Sequence, residues 1–513
     1  MNEQVAELWS KLPAYLGGHL LLSLAALGCG LMISLPLGVL ASRRRRLAEW
    51  ALGFAGVVQT VPSLALLALM VLVLAGRIGF LPAFIALTLY SVLPILANTI
   101  AGIRGVDPSL TEAARGLGMT SRQMLLRVEL PLAAPVIIAG IRTATVLVVG
   151  TATLVTPVGG VSLGNYIFGG LESLNHVSTV FGCVLAAVLA IVLDQLVRLL
   201  ELAARRRSRP LAWTGAAGLL LILVGGLYEP ATRLLDRPTK RAVIATGPFT
   251  EQHILDTVLA RRLEKAGFRV DRRPGTSEGI QFLALFHDQV DCIVNYTGNV
   301  WTLLMKRRDV KESRQTYEEV CEYLLKEHGV VCLGKLGFAN AYAIVVKKNE
   351  AEKMYGSLEN FAGWARRRGG KLRIGGDSQF FTRPEWTRLR ELYGLYESKI
   401  EELAMDPTLM YGAVRDGQVD AIVAYTSDGR IPAYGLEILN DPKRALPPYD
   451  AILLLSPAAS RRPGLKEALM PLVDAVSLEA MQKANYRVDV DHWTARRAAE
   501  ELLERIGAGE RGQ

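Results

Sequence analysis

The sequence predicts two unlike halves, an all-α bundle of six membrane spans followed by an α/β domain of two lobes. Apolar stretches long enough to cross a bilayer, about 20 residues, recur from Leu16 to about Tyr228 with short polar links between them. Arginines cluster beside those stretches instead of spreading along the chain. Beyond Arg237 charges return every few residues and short strand patterns alternate with helical ones, the pattern of doubly wound α/β lobes. At 513 residues there is room for two or three domains. The net charge of +9 does not point to nucleic acid, because arginines next to apolar spans act as topology signals. No long basic surface with interleaved aromatics accompanies them.

Taken in order, the spans are expected at 18–41, 52–75, 81–103, 132–156, 177–200 and 211–228. The first is not expected to be a cleaved leader: Glu3 and Glu7 precede it, and the basic run Arg43 to Arg46 follows it. That run, the link from Arg104 to Arg127, and the group Arg205, Arg206, Arg207 and Arg209 come after spans one, three and five. Alternating spans place all three on one side, the cytoplasm. The amino terminus and everything after Arg237 then lie outside, in the membrane of a cell with the last domain extracytoplasmic. Within the spans, Asp194 and Arg198 are four residues apart and read as a helical ion pair. Arg142 lies eleven residues past Pro131, roughly 16 Å along a helix. Three placements stay open for it: snorkelling, facing a translocation path, or facing a neighbouring span.

The link after the third span carries a motif. Glu112-Ala113-Ala114, three residues, Gly118, nine residues, Val128, one residue, Leu130 and Pro131 resembles the EAA loop of binding-protein-dependent ABC importer permeases, with Val128 in place of isoleucine. Gly118 permits a tight turn, Pro131 suits the start of a new helix, and Arg115, Arg122 and Arg127 hold the segment in the cytoplasm. The resemblance implies that Glu112, Ala113, Ala114, Gly118 and Pro131 couple to a cytoplasmic ABC ATPase. It also implies a homodimer of the permease domain.

The soluble half reads as strand 242–245, a loop 246–252, a helix to about Gly267, a strand near 268–270, a helix 280–286, a strand 290–294 and a loop 295–299. Residues 338–346 are expected to cross into a second lobe holding strands 372–374 and 419–423, with the return after about Ile431. The expected division is a permease domain 1–210, a sixth helix and linker 211–239, and an external binding domain 240–513. Its first lobe takes 240–337 and 432–513, its second 338–431.

Five segments, Gly247 to Gln252, Asn295 to Gly298, Asn340 to Ala343, Ala424 to Gly429 and Leu446 to Tyr449, resemble those of the OpuC-type osmoprotectant binding proteins. That family has a periplasmic-binding-protein fold and binds choline, glycine betaine, carnitine and similar compounds. The resemblance puts an aromatic cage at Tyr296, Tyr342, Tyr425 and Tyr449, with Gln252, Asn299 and Thr426 as polar contacts. At Asn299 the family more often has Thr or Asp. In place of its usual Ser-Thr-Asp-Gly the chain has Thr426-Ser427-Asp428-Gly429. A quaternary ammonium has no N–H to donate, so aromatic faces must recognise it, at about 0.5 to 2 kcal/mol each. Four faces give roughly 2 to 8 kcal/mol against the about 8 that micromolar binding needs. Arg383 is read two ways, as partner of a ligand carboxylate or as a salt bridge within its lobe.

No G-x-x-x-x-G-K-[ST] occurs, so ATP hydrolysis is assigned to a separate subunit and the chain is not expected to be an enzyme. His19, His176, His253, His287, His328 and His492 form no metal-ligand spacing, and neither a metal nor a cofactor is expected. Cys292, Cys321 and Cys332 are odd in number, so at least one stays unpaired within the chain. The leading expectation is a permease and binding subunit of an ATP-driven importer for a quaternary ammonium compound. Ergothioneine, another trimethylammonium betaine, is the alternative ligand. A membrane-anchored ligand sensor is the alternative of a different class.

Overall fold

A computed structural model describes residues 2–172, 175–235, 240–247, 249–353, 356–367, 371–377, 380–395, 400–405 and 407–510. The expected linker at 236–239 and Pro248 of the first loop lie outside the described residues. Two compact units form, one holding most of residues 1–239 and one most of residues 240–513.

The helical unit contains α1 (Asn2–Arg43), α2 (Arg45–Thr60), α3 (Ser63–Val73), α4 (Phe80–Arg104), α5 (Pro108–Gly116), α6 (Ser121–Met124), α7 (Leu130–Thr151), α8 (Gly164–Glu172), α9 (His176–Arg206) and α10 (Arg209–Leu235). Among the described residues, five helices are long and apolar enough to cross a membrane, six if the bent pair α2 and α3 counts as one. The second expected span is therefore corrected: α2 and α3 meet at 102° instead of forming one rod. Pro62 is the cause, since it disfavours α geometry at the residue before it. Val61 accordingly sits at φ −71°, ψ 127°, and ends α2. Small residues let the long helices approach. A Cβ on Gly140 of α7 would stand 2.7 Å from the Pro94 carbonyl of α4, the close backbone approach typical of membrane helices.

One charge expectation changes. Asp194 pairs across helices with Arg142, whose Nε and Nη2 donate to its two oxygens at 2.5 and 2.8 Å. Arg198 instead donates to Gln195 at 3.4 Å. An arginine fork matches a carboxylate bidentately, which a neighbour one turn away on the same helix does not offer. Pro131 takes the second position of α7, as a helix-start proline should, although helical residues already run from Ser121 through a π turn at Leu125–Glu129 into it. Pro131 has no N–H for the carbonyl four residues back. In the π turn the Leu130 N–H reaches the Leu125 carbonyl instead.

Among the described residues the α/β unit has ten strands: β1 (Arg241–Thr246), β2 (Arg269–Pro274), β3 (Cys292–Tyr296), β4 (Val331–Ala339), β5 (Tyr342–Lys347), β6 (Leu372–Gly376), β7 (Ile400–Ala404), β8 (Ala421–Tyr425), β9 (Leu436–Ile438) and β10 (Asp450–Leu455). They form two sheets, ordered β2-β1-β3-β10-β4 and β7-β6-β8-β5-β9. Along each sheet two parallel pairings are followed by two antiparallel ones, so β10 and β5 are the reversed strands. The two-lobed α/β expectation is borne out. The return to the first lobe falls later than Ile431, because β9 still pairs with β5 through Val345 and Ile438. Only β10 rejoins the first sheet. Cys321 and Cys332 form a disulfide, tying a helix (Ser313–His328) to β4. Cys292 remains free and buried.

Candidate functional site

Strand register assembles the aromatic cluster. Tyr342 opens β5 and Tyr425 closes β8, and the two are direct cross-strand partners. Such partners stand close enough for ring contact. Their centroids lie 5.0 Å apart, and Tyr449, just before β10, meets Tyr342 edge-on at 5.6 Å. Tyr449 in turn lies on Gly298, where a Cβ would come 2.5 Å from its ring. That close approach explains the glycine in Asn295-Tyr296-Thr297-Gly298. Phe380 backs Tyr342 at 4.7 Å. Tyr296, at the carboxyl end of β3, packs against the same apolar cluster. All four predicted tyrosines are thus brought to one edge of the sheets, where doubly wound domains hold ligands.

The hydroxyls of Tyr296, Tyr449 and Tyr425 meet carboxylates that the sequence reading missed. Tyr296 donates to Glu251 and accepts from Gln252 Nε2 at 3.0 Å. Glu251, 4% exposed, also accepts from Asn340 at 3.2 Å and from Asn485 at 3.4 Å. Burial pushes the Glu251 carboxyl up, and the hydrogen bonds pull it partly back. Tyr449 donates to Glu385 Oε1 at 2.6 Å, and Tyr425 reaches Asp377 at 3.4 Å. Burial raises the Tyr342 phenol to about 12, and raises those of Tyr296, Tyr425 and Tyr449 well above their usual value. The rings therefore remain neutral at physiological pH, with protonated hydroxyls.

Arg383 lies over the face of Tyr342, its guanidinium carbon 5.3 Å from the centroid. Its Nη1 is 3.5 Å from the Tyr449 hydroxyl and 3.9 Å from Glu385 Oε1. The arginine therefore joins the aromatic cluster. Three other predicted contacts are engaged elsewhere. Thr426 accepts from the Ala341 N–H at 2.9 Å and donates to the Ala339 carbonyl at 3.1 Å, closing the crossing between lobes. Asn299 donates to Asn295 at 3.3 Å. Gln252 orients Tyr296 and accepts from the Gly247 N–H at 3.4 Å. The missed acids had little signal in the sequence: Glu251 sits beside Gln252, and Glu385 is an acid in a helix's first turn.

In the helical unit, α5 is capped by Asp107, whose side chain accepts from the Ser109 N–H at 2.9 Å. Glu112 and Ala113 are exposed while Ala114 is buried. Gly118, at φ +78°, makes the turn after α5, a conformation that suits glycine. Leu117 beside it is 78% exposed. This segment is a short helix with one anchored and one open face.

Residues 240–505 match the family described as the substrate binding domain of ABC-type glycine betaine transport systems. Residues 34–206 match the binding-protein-dependent transport system inner membrane component. An ergothioneine transport permease/ergothioneine binding protein of Helicobacter pylori (strain G27) is 29% identical over 93% of this chain and 87% of its own length. A glycine betaine/carnitine/choline transport system permease of Bacillus subtilis (strain 168) is 44% identical over 36% of this chain and 84% of its own length. A crystal structure described as a glycine betaine/carnitine/choline ABC transporter aligns with 51% of this chain and 97% of its own, at 26% identity and a TM-score of 0.46.

Proposed function

The chain belongs to the ABC-type glycine betaine transport family, with an inner membrane component and a substrate binding domain in one polypeptide, and we propose that Tyr342, Tyr425, Tyr449 and Tyr296 bind a quaternary ammonium compound for import. A permease of this class implies an ATPase partner and a small-molecule ligand. The observation that carries the ligand reading is the packed tyrosine cluster, which already holds one cation, Arg383, on a ring face. A neutral aromatic face attracts an ammonium that cannot donate a hydrogen bond. Choline, glycine betaine and carnitine are the first candidates. Ergothioneine is the second reading, favoured by the relative that matches this chain nearly end to end.

In the arrangement we favour, residues 1–210 form the permease, 211–239 lead out of the membrane and 240–513 bind ligand outside the cell. The arginine-rich links support that orientation, and so does the Cys321–Cys332 disulfide, a bond that persists in oxidising compartments. Glu112, Ala113, Ala114, Gly118 and Pro131 would meet the ATPase, and two permease domains would pair. ATP hydrolysis would belong to the separate subunit.

Calorimetric titration of the purified full chain with choline, glycine betaine, carnitine and ergothioneine tests the ligand class. At least one should bind in the micromolar range or tighter, and failure of all four would overturn the reading. Gly118→Trp tests the coupling. It should abolish uptake in cells carrying the ATPase and leave ligand affinity unchanged, because Gly118 is an exposed turn residue. Wild-type uptake by that variant would refute a docking role for the 112–131 segment.

A further inference from the structure

Arg383 stands where a ligand's cation would stand. Its guanidinium carbon is 5.3 Å from the Tyr342 centroid, inside the roughly 6 Å reach of a cation–π contact. Glu385, two residues on, is 3% exposed. One of its oxygens accepts from the Tyr449 hydroxyl at 2.6 Å and lies 3.9 Å from Arg383 Nη1. The other, Oε2, is buried and accepts no hydrogen bond among the described residues. A buried carboxylate oxygen without a donor is costly, and the nearby arginine is a strong, two-pronged donor suited to it.

Two cations a few ångström apart in a site shielded from water repel more strongly than one ring face attracts either. An ammonium that takes the face of Tyr342 therefore displaces Arg383, and the displaced guanidinium needs an anion. A carboxylate on the ligand itself can supply it, where the ligand has one, and Glu385 lies 3.9 Å away.

We propose that Arg383 is the resident cation of the cage and that Glu385 receives it when the incoming ligand carries no carboxylate. This pair then decides which quaternary ammonium compounds the site accepts. The proposal rests on the quaternary ammonium reading above and adds the basis of its selectivity. With glycine betaine, Arg383 turns to the ligand's carboxylate and Glu385 keeps only its bond to Tyr449. With choline, Arg383 moves onto Glu385, and the ligand sees a neutral pair beside the rings. Removing the charge of Glu385 while keeping its shape should therefore fall on one ligand class alone. A residue that merely buttressed Tyr449 would affect both classes equally.

The test titrates the full chain with choline and glycine betaine, as wild type, Glu385→Gln and Arg383→Met. Glutamine keeps an oxygen for the Tyr449 hydroxyl and loses the charge. Glu385→Gln should weaken choline about tenfold or more and glycine betaine less than about threefold. Arg383→Met removes the competitor and leaves a carboxylate beside the rings. It should tighten choline about tenfold and weaken glycine betaine about ten- to a hundredfold. Equal losses for both ligands in Glu385→Gln, unchanged choline binding in that variant, or weaker choline binding in Arg383→Met would each overturn the proposal. Wild-type binding of glycine betaine without choline binding would overturn it too. Absence of any quaternary ammonium binding to the wild type would instead remove the function beneath it, which the first titration reveals before any variant is made. Should Glu385→Gln lose its melting transition, Arg383→Met decides the matter, because Arg383 sits nearer the surface at 14% side-chain exposure against 2% for Glu385.

Discussion

The two lobes of the α/β unit share one strand order but hold their tyrosines in opposite ways. In the first lobe Tyr296 is fixed through its hydroxyl, between Gln252 and a buried Glu251 that Asn340 and Asn485 also grip. In the second lobe the Tyr342 ring packs on Tyr425 and Phe380 with Arg383 above, and the Tyr425 hydroxyl makes only long contact, 3.4 Å, with Asp377. A polar lock with several partners is stiff, since breaking any bond exposes a buried charge. Ring contacts are worth less individually and tolerate sliding. Under the ligand reading proposed above, the first lobe would supply a fixed wall and the second an adjustable one.

The largest effect should separate the walls by affinity. Tyr342→Ala removes the face that already holds a cation. A desolvated face is worth about 2 kcal/mol or more, so quaternary ammonium affinity should fall at least about thirtyfold by calorimetry. Tyr296→Ala should weaken all such ligands by a smaller, similar factor. If the order reverses, the second lobe is not the recognising wall.

A middling effect should separate them by stability. Tyr296→Phe deprives Glu251 of a donor in a buried site, at roughly 1 to 3 kcal/mol. Tyr425→Phe loses a long 3.4 Å contact to Asp377 and the neutral hydroxyl contact with Tyr342 and should cost less, about 1 kcal/mol. Urea unfolding of the two variants makes the comparison directly. Equal costs would mean that both walls are locked through hydroxyls.

The sequence was legible where local rules govern and opaque where burial does. Strand and helix alternation revealed both lobes, and the four tyrosines singled out in the family-like loops, Tyr296, Tyr342, Tyr425 and Tyr449, lie in or against one apolar cluster. The turn at Gly118 followed from its residue type. Glu251 and Glu385 were not legible, because nothing local distinguishes a buried acid from a solvated one in a helix's first turn. Thr426 looked like a ligand contact, yet its hydroxyl is taken by two backbone groups, Ala341 N–H and the Ala339 carbonyl, from another strand crossing. The lobe boundary slipped because β9 is three residues long, too short for a period-2 pattern to show. Hydropathy marked the second span but not its bend, although Pro62 stood in plain view.

The smallest effect is a slope against pH, and it belongs to the fixed wall. Burial holds the Glu251 carboxyl above its ordinary value. It also lifts Asp489, which accepts from Thr250 at 2.7 Å, to about 7, against the pull of Arg430 and with Asp428 and Glu251 adding to the rise. For both acids the folded state keeps its proton after the unfolded chain has lost it. Stability should therefore fall as pH rises from the ordinary carboxylate range towards about 7. The salt-bridged acids work in another window. Asp309, Glu319 and Glu500 are lowered by their cationic partners, so their contributions vanish only below the ordinary range. Between about pH 4.5 and 7 the raised pair should dominate the slope. Melting the purified chain across that range should show decreasing stability, and Asp489→Asn and Glu251→Gln should each flatten part of the decline. The variant-to-wild-type difference is the quantity to read, since two units need not melt as one transition. A slope that both variants leave intact would mean that the first wall is held by packing rather than by its buried acids, and the contrast between the lobes would lose its physical basis.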